Sequence, residues 1–402
     1  MVRQILSLLA AFFLILSPIT DARPRAALLV TPVSVVGTNS ADCPDAQFST
    51  IQAAVDAASP GTVIRICRGT YPEQVRINKP LSLQGQNGVV IEPSNVTPNA
   101  TGTASGQPIA AIILVQETTD VDIRDVIVDG TNNGITACSP DLIGILYQNA
   151  SGEVAHVAVR NTKLSSPDLN GCQGGLAILI QSGGGTSVVE VQGSSIHDYQ
   201  KNGITANEVG TQVRIEDNVV TGVGPTAGAA QNGIQIGFGA GGSISRNTVA
   251  NHIWSGCVSL ASCDVTADDI LVFQSDGVSV DQNVAGVSQT GIAIVANHAH
   301  VTRNHVFDTL IFDGIEFTKI DSDLTGNDNE ATGNSITNSD RAGVFIDGNS
   351  NFVQGNRINE AAFGVLKAAG TTGNFIRRND FSNAIVTVQD PAARGSKASP
   401  YR

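Results

Sequence analysis

Two groups of residues in this chain have the types and spacing needed for acid–base chemistry. His197, Asp198 and Lys201 supply a base, an acid and a cation within one short turn, the combination that proton abstraction or glycosidic cleavage requires. Asp313 and Glu316 form a carboxylate pair, and glycoside hydrolysis uses two carboxyl groups roughly 5 to 9.5 Å apart. These five residues are predicted to be catalytic. The alternative for both groups is a set of solvated polar side chains.

A third group has the composition of a metal site. His298, His300, Asp328 and Glu330 fall at matching distances before two asparagines of a repeated pattern, so all four are expected to face the same way. Imidazole and carboxylate together suit a divalent transition metal such as Zn²⁺. A solvated polar face is the alternative. No motif requires a cofactor, because Walker, dinucleotide and nucleophile-elbow patterns are all missing from the sequence.

The elements that position these residues follow from a ladder of residues that recurs at intervals of 21 to 40 positions. Its last seven members are asparagines, each with an apolar residue three positions before it and another two positions after it. A glycine followed by an apolar residue marks a second corner of each repeat, as at Gly233 and Gly291. Such repetition indicates the coils of a solenoid. The predicted ladder members are Gln86, Val126, Thr162, Ser194, Asn218, Asn247, Asn283, Asn304, Asn334, Asn356 and Asn379.

The coil pattern predicts an all-β fold, a single-stranded right-handed parallel β-helix. Apolar residues at period two supply strands with one inward face, glycine permits tight corners, and asparagine amides stack between coils. A β-sandwich is the alternative, but it gives no reason for a constant asparagine register. The domain is predicted to span residues 27–390, with a C-terminal tail at 391–402. Residues 1–26 have the charge and apolar run of a secretory signal peptide, which predicts an extracellular or periplasmic protein.

Insertions in neighbouring coils predict a groove. From ladder position to the next corner the shortest spacing is eight residues, whereas four coils between Val126 and Asp269 have 13 to 22. Loops at one corner of successive coils stand side by side, so they should form a wall along one sheet. Outward positions after that corner are Thr205, Asn207, Gln235, Leu271, Phe273, Glu316, Thr318, Phe345 and Asp347. We expect an extended carbohydrate there, contacted by Tyr199, Gln235, Trp254 and Phe273. For Trp254, anchoring of a loop is the alternative.

A short amphipathic helix is predicted at Phe48–Ser59, with Ser49 and Gln52 in capping-box spacing. This segment, followed by Gly61-Thr-Val-Ile-Arg-Ile, Gly69-Thr-Tyr-Pro-Glu-Gln-Val and Leu81-Ser-Leu-Gln-Gly, resembles the opening of pectin methylesterases. The same opening occurs in bacterial β-helix proteins of the pectate-lyase-like superfamily. The resemblance covers about forty residues and implies a β-helix with a capping helix, and export. The catalytic motifs of pectin methylesterases have no match in this sequence, so no reaction is implied.

Charge and cysteine content limit the partners and the compartment. The net charge of −13 disfavours nucleic acid, and the mature chain is expected to be a monomer without a membrane span. Six cysteines in an exported chain predict three disulfides. The expected pairs are Cys43 with Cys67, Cys138 with Cys172, and Cys257 with Cys263. Two hypotheses for function remain: a polysaccharide lyase or glycoside hydrolase, and a non-catalytic solenoid that binds a surface or a glycan.

Overall fold

The computed structural model describes residues 33–37, 43–103, 105–260, 263, 265–320, 325–384 and 386–389, and all of them belong to one compact unit. The predicted signal peptide (1–26) and C-terminal tail (391–402) lie outside the described residues. Within the described part of the chain, no helix has the length and apolar character needed to cross a membrane.

The described residues form 34 strands. The first nine are β1 (Val33–Val36), β2 (Thr62–Ile66), β3 (Gly69–Tyr71), β4 (Val75–Ile77), β5 (Leu81–Gly85), β6 (Val89–Ile91), β7 (Ala100–Thr101), β8 (Pro108–Arg124) and β9 (Ile127–Asp129). The next eleven are β10 (Asp141–Ala155), β11 (Ala158–Arg160), β12 (Leu176–Gln181), β13 (Ser187–Gln192), β14 (Ser195–His197), β15 (Asn202–Asn207), β16 (Thr211–Glu216), β17 (Val219–Thr226), β18 (Asn232–Gly237), β19 (Gly241–Ser245) and β20 (Thr248–Trp254). The remainder are β21 (Asp268–Phe273), β22 (Ser279–Asp281), β23 (Val284–Ser288), β24 (Thr290–Val295), β25 (His300–Thr302), β26 (His305–Thr309), β27 (Ile315–Phe317), β28 (Glu330–Thr332), β29 (Ser335–Ile346), β30 (Phe352–Gln354), β31 (Arg357–Lys367), β32 (Phe375–Arg377), β33 (Asp380–Ser382) and β34 (Val386–Gln389).

These strands wind into a right-handed parallel β-helix with three faces. Among the described residues every strand pairing is parallel, apart from the two-residue β7 against β8. The first face contains β13, β16, β19 and β22, and the second contains β14, β17, β20 and β23. The third face contains β12, β15, β18, β21, β24, β27 and the second half of β29. The predicted fold class is therefore confirmed, and the sandwich alternative is wrong.

The core runs through the middle of the coils. On the third face, Ile204, Ile234, Ile270, Ile292 and Ile315 pair in register from strand to strand, and all five are fully buried. Each coil thus covers the apolar layer of its neighbour, because a single coil cannot bury its own inner face. This stack directs the alternate side chains of the third face away from the core, although Thr205, Ala293 and Glu316 among them are almost fully buried.

The asparagine ladder is confirmed at the turn between the first and second faces. The Nδ2 of Asn218 donates to the Oδ1 of Asn247 at 3.0 Å, and the same contact continues through Asn283, Asn304, Asn334, Asn356 and Asn379 at 2.9–3.0 Å. One earlier member was wrongly assigned. Val157, not Thr162, occupies the ladder turn of its coil, since its N–H donates to the Oγ of Ser194 at 3.2 Å. Thr162 lies at the following corner, after β11.

The N-terminal helix is shorter than predicted and begins differently. α1 spans Ile51–Ala57, and Thr50, not Ser49, caps it through a hydrogen bond from the N–H of Ala53. The carboxylate of Glu73 accepts from the N–H groups of Ile51 and Gln52, at 2.8 and 2.9 Å. These are donors that every helix N-terminus leaves without a partner inside the helix. The buried residues of α1 join the main core. All three expected disulfides are present: Cys43–Cys67, Cys138–Cys172 and Cys257–Cys263.

Candidate functional site

The third face carries the outward rows on which the predicted groove depends. The registers align Thr205, Gln235, Leu271, Ala293 and Glu316 across five successive strands. A second row, two residues further along each strand, includes Gly237 and Phe273. Together the two rows contain groups of the kinds that bind sugars. The first row has the hydroxyl of Thr205 and the amide of Gln235, and the second has the ring of Phe273.

Long loops stand along one edge of this face, as the insertions predicted. They join the second face to the third at residues 161–175, at 227–231, and at the described residues 255–260, 263 and 265–267. Three buried glutamines at this corner hold the loops: Gln200 donates to the carbonyls of Leu169 and Cys172 at 2.8 and 3.0 Å, and Gln289 donates to those of Trp254 and Cys257 at 2.9 and 3.2 Å. The third is Gln231, which donates to the carbonyl of Tyr199. The loops are therefore fixed to the coils by hydrogen bonds.

A cavity of about 260 Å³ opens between these loops and the third face. Its polar lining includes Lys201, Asn232, Gln235 and Asp268, and Phe238 and Phe273 are its aromatic lining. The two rings lie 5.3 Å apart, centroid to centroid, and are tilted by 60°. This arrangement, apolar walls with a few polar groups, is typical of sites for small organic ligands.

The cavity contains a cation in an unusual environment. The ammonium group of Lys201 donates to the carbonyl of Ala230 at 2.5 Å and interacts electrostatically with Asp268. Enclosure by the loops lowers the pKa of Lys201 from 10.5 to about 8, because burial disfavours the charged form, and Asp268 opposes this shift. A lysine that titrates near neutral pH is a common component of functional sites.

A buried group of charged residues lies next to the cavity on the following strands. Arg341 binds Asp313 with two nitrogens of its guanidinium group, one of them at 2.9 Å, and the N–H of Ala342 donates to the same carboxylate at 3.0 Å. Arg341 also lies 3.7 Å from a carboxyl oxygen of Glu316. Its guanidinium packs 4.1 Å from the ring centre of Phe345. Asp313 and Glu316 are thus brought together, as predicted, but in the interior of the face and not on its surface.

Glu316 is the side chain in this group with unmet hydrogen-bonding capacity. It is 1% exposed, and as a carboxylate neither of its oxygens has a hydrogen-bond partner among the described residues, whereas its protonated form can share the proton with Asp313. Burial, and secondly the negative charge of Asp313, raise the pKa of Glu316 well above its ordinary value, and Asp268 contributes in the same direction. We call Asp268, Asp313 and Glu316 the carboxylate cluster. It connects the cavity, which Asp268 lines, to the Arg341 site.

The predicted trio of His197, Asp198 and Lys201 is not one site. His197 ends β14, and its Nδ1 lies 2.7 Å from a carboxylate oxygen of Asp198 in the partly exposed turn that follows. Lys163 donates to the other oxygen at 2.9 Å and, with His197, lowers the pKa of Asp198. Neither His197 nor Asp198 lines the cavity that contains Lys201.

Tyr199 was predicted to contact a substrate, and the structure corrects this. Its side chain is fully buried inside the coil, where the hydroxyl binds the Nε2 of His252. The Nδ1 of His252 lies 2.6 Å from a carboxylate oxygen of Asp269, so the three side chains form one internal chain of hydrogen bonds. Burial lowers the pKa of His252 from 6.5 to about 3, which keeps this imidazole neutral. No part of Tyr199 is available to a ligand.

Trp254 anchors a loop, the alternative considered for it from the sequence. Its indole Nε1 donates to the carbonyl of Gly228 at 2.9 Å, and its ring packs against the Cys257–Cys263 disulfide and Phe312. The wall above the third face is therefore held together by contacts between loops of neighbouring coils. Trp254 shapes the cavity without being part of its lining.

The predicted metal ligands lie in the expected register but do not form a group. His300 and Glu330 are paired across β25 and β28, 3.2 Å apart, and His298 and Asp328 occupy the exposed turns before them. In the described residues, no three His, Cys, Asp or Glu side chains are arranged so as to hold a metal ion. This region provides one exposed ion pair.

Two residues of the site were missed from the sequence, Asp268 and Arg341. Asp268 begins β21 directly after the longest insertion, and Arg341 lies in the middle of β29 between its two faces. The corner pattern places Asp268 three positions before the outward residue Leu271, a signal that was available. Arg341 carries no such signal, because its approach to Asp313 depends on the bend within β29.

Residues 261–397, about a third of the chain, match the family described as periplasmic copper-binding protein (NosD). Copper sites in proteins are built from His, Cys and Met side chains. In the matched region Cys263 is in a disulfide, no methionine occurs between residues 261 and 397, and the histidines and carboxylates form no three-ligand group among the described residues. The residues present do not fit a copper site. No curated protein sequence matches the chain.

Solved structures similar to this one come from several bacteria. The GH136 lacto-N-biosidase from Eubacterium ramulus is 11% identical and matches with a TM-score of 0.60 over 87% of this chain and 68% of its own. The A-module of mannuronan C-5 epimerase AlgE4 from Azotobacter vinelandii is 13% identical, with a TM-score of 0.56 over 84% and 92%. The family 28 exopolygalacturonase of Yersinia enterocolitica is 13% identical, with a TM-score of 0.51 over 92% and 77%. At these identities the similarity establishes the fold: this chain is a right-handed parallel β-helix protein.

Proposed function

We propose that this protein is an exported glycan-acting enzyme that binds a carbohydrate chain along the third face and hydrolyses a glycosidic bond at the carboxylate cluster. The observation that carries the proposal is the state of Glu316. A buried carboxyl group whose oxygens, in the ionised form, have no hydrogen-bond partner among the described residues needs an explanation, because such groups are rarely left unpaired. A sugar oxygen placed beside it supplies the missing partner.

The environment of Glu316 fits a general acid. Burial and neighbouring carboxylates raise its pKa well above 4.5, so it retains its proton at pH values where ordinary glutamates are ionised. An acid of this kind protonates the glycosidic oxygen as the bond to the anomeric carbon breaks. The leaving sugar then departs as an alcohol, and Glu316 becomes a carboxylate next to Arg341.

Asp268 is the partner carboxylate in this proposal. Asp313 binds Arg341 and the N–H of Ala342. Asp268 lines the cavity and acts electrostatically on both Glu316 and Lys201. As a general base it takes one proton from a water molecule whose oxygen bonds to the anomeric carbon. Arg341 acts as a positioning residue, since it fixes Asp313 and contacts Glu316.

Two further observations support this function and its compartment. The similar structures are a lacto-N-biosidase, a mannuronan epimerase and an exopolygalacturonase by name, all of which act on carbohydrates. The described cysteines are paired in disulfides, and disulfides persist in oxidising compartments. Together with the charged and apolar pattern of residues 1–26, they support an extracellular or periplasmic location.

The test is a screen of the purified protein against polysaccharides and oligosaccharides, with release of reducing ends as the readout. We expect Glu316→Gln and Asp268→Asn to lower the turnover of a cleaved substrate by about 10² to 10⁴-fold, the usual contribution of general acid–base catalysis. Glu360→Gln is the matched control, because Glu360 is exposed at a position of positive φ within β31, and its turnover should equal that of the unmodified protein. The variant His197→Ala separates this centre from the exposed turn at His197.

Two outcomes contradict the proposal. Full turnover by Glu316→Gln shows that the reaction occurs elsewhere, and loss of turnover in His197→Ala alone identifies the turn as the active centre. Binding of a glycan without any product favours the second function, a non-catalytic carbohydrate-binding solenoid. One feature favours that function: the connected amides of Asn202, Asn207, Asn232 and Gln235 on the third face.

A further inference from the structure

The cavity beside Asp268 has a lining whose formal charges cancel. Lys201 and Asp268 contribute one charge of each sign, and the other polar groups of the lining, Asn232 and Gln235 among them, are neutral. Beyond the cavity, the Arg341 guanidinium is already bound to Asp313. An anionic sugar placed here meets no surplus positive charge, and it approaches a protein with a net charge of −13.

The amides of the lining are held in position before any ligand binds. The Oε1 of Gln235 accepts from the Nδ2 of Asn202 at 3.1 Å, and its Nε2 donates to the Oδ1 of Asn207 at 3.2 Å. The side chain of Asn232 lies 3.4 Å from the same Oε1. Fixed neutral donors and acceptors match the hydroxyl groups of a sugar. Because these side chains are already ordered, binding the sugar does not have to supply the free energy of ordering them.

The aromatic part of the lining has a feature that packing alone does not explain. Phe238 is 49% exposed and has a φ of 56°, in the left-handed region that a bulky residue rarely adopts. Its N–H donates to the carbonyl of Phe273 at 2.9 Å, which holds the turn in place. Glycine is the residue that such a turn favours. A half-exposed phenylalanine kept there at a conformational cost points to a contact made by its ring.

Resting on the proposed function, we infer that this cavity is the subsite for one neutral sugar unit of the substrate, with the Phe238–Phe273 pair against the apolar face of the ring and Lys201, Gln235 and Asp268 on its hydroxyl groups. The size agrees, because 260 Å³ is just below the roughly 300–1,000 Å³ of cavities that hold larger drug-sized ligands. Substrates whose bound unit is a uronate are excluded by the charge balance.

The experiment measures binding by calorimetry to the full protein carrying Glu316→Gln, which keeps the ligand intact. The ligands are one neutral and one uronate-containing oligosaccharide of equal length. We expect the neutral ligand to bind at least tenfold tighter, and Phe273→Ala and Lys201→Gln each to weaken it by about tenfold. Phe375→Ala is the control, since Phe375 is a 62% exposed aromatic residue on β32, far along the coil.

The variant Phe238→Gly separates a ligand contact from a structural role. If the ring serves the ligand, the affinity falls while the melting temperature stays equal or rises, because glycine relieves the left-handed backbone. A lower melting temperature with unchanged affinity overturns the inference.

The remaining outcomes distinguish the inference from the function on which it rests. Cleavage of a uronate polymer, blocked by Glu316→Gln, overturns the neutral subsite and leaves the hydrolase standing. If a neutral oligosaccharide binds in a way that depends on Phe273, but the unmodified protein does not cleave it, the subsite stands and the proposed hydrolase function is overturned. Failure of every glycan to bind overturns both.

Discussion

The chemistry of single residues on the third face is set by how deeply the coil encloses them. The same residue types occur on exposed turns, where His197, Asp198 and Lys163 form an ordinary ion-paired group of small energetic value. On the third face, loops remove water from Lys201 and Glu316, and their pKa values move in opposite directions. Burial therefore distinguishes the candidate site from the other polar clusters of the chain.

Glu316 makes a residue-scale prediction about stability. Its pKa in the folded protein is raised above the unfolded value near 4.5, so unfolding releases a proton and stability falls as the pH rises from about 4.5 through the folded pKa. The glutamine of Glu316→Gln does not titrate, so its contribution to stability does not change with pH in this range. We expect the variant to melt at nearly the same temperature as the unmodified protein at pH 4, and at a higher temperature at pH 8.

Differential scanning fluorimetry at the two pH values checks this, with Glu360→Gln as the exposed control. A temperature difference that is constant across the pH range contradicts the raised pKa. Active sites often retain residues that reduce stability because activity needs them. A Glu316→Gln protein that is more stable but inactive would agree with such a site.

Much of the site's composition was readable from the sequence, but its three-dimensional grouping was not. Glu316, Gln235 and Phe273 were named because the corner pattern assigns outward positions, and Asp313 because it lies three residues before Glu316 at the same corner. Tyr199 was misassigned because nothing in its local sequence reveals that its hydroxyl meets His252, a residue 53 positions away. Contacts between coils depend on the register of distant strands, and single-residue patterns do not contain that information.

At the scale of elements, the asparagine column was predictable because its chemistry repeats in every coil. Two further amide columns, which the sequence patterns did not reveal, lie at a different corner, where the chain passes from the third face to the first. In one of them the N–H of Asn329 donates to the Oδ1 of Asn351 at 2.8 Å, and in the other the N–H of Asn349 donates to the Oδ1 of Asn327 at 2.7 Å. The Val157 turn was missed because an apolar residue replaces the amide there and the polar Thr162 follows five positions later, although the apolar Val126 was assigned to the ladder one coil earlier.

The asparagine ladder predicts that replacing one asparagine by alanine lowers the free energy of unfolding more at a buried position than at the end of the ladder. Asn283 binds the N–H and amide groups of Asn247 and donates to Asn304 and to the carbonyl of Ile244. Asn283→Ala leaves these buried groups unpaired, at about 1–3 kcal/mol for each, so we expect a loss of about 3 kcal/mol or more in the free energy of unfolding.

The matched control is Asn379→Ala at the end of the described ladder, where the partly exposed Asn356–Asn379 contact allows water to replace the lost amide. Its cost should be on the order of 1 kcal/mol. Urea unfolding of both variants measures the difference. Equal losses at the two positions contradict a ladder whose value depends on burial.

For the whole molecule, the solenoid separates two tasks. The inner layer of isoleucines and the amide columns stabilise each coil against its neighbours, and the loops at one corner are free to differ in length without disturbing the coil. The acidic balance of 36 carboxylate to 23 basic residues leaves the surface unsuited to polyanions. Arg341 pairs with Asp313 at the candidate site, and a second ion pair, Lys319 with Asp347 at 3.3 Å, lies close to it on the same face.

The same architecture predicts how the molecule unfolds. Each coil contacts only the coils beside it, so stability is nearly a sum of neighbour terms and terminal coils open first. The N-terminal end is covered by α1 and the Cys43–Cys67 disulfide, whereas β33 has partly exposed Phe381 where central strands have fully buried residues. We expect amides of β32 and β33 to exchange with deuterium at least tenfold faster than those of β22 and β23, and β2 to be protected more than β33. Hydrogen-exchange mass spectrometry on the full protein measures this gradient. Uniform protection from β2 to β33 would mean that the coils unfold as one unit, and the neighbour-sum description would then be wrong for this β-helix.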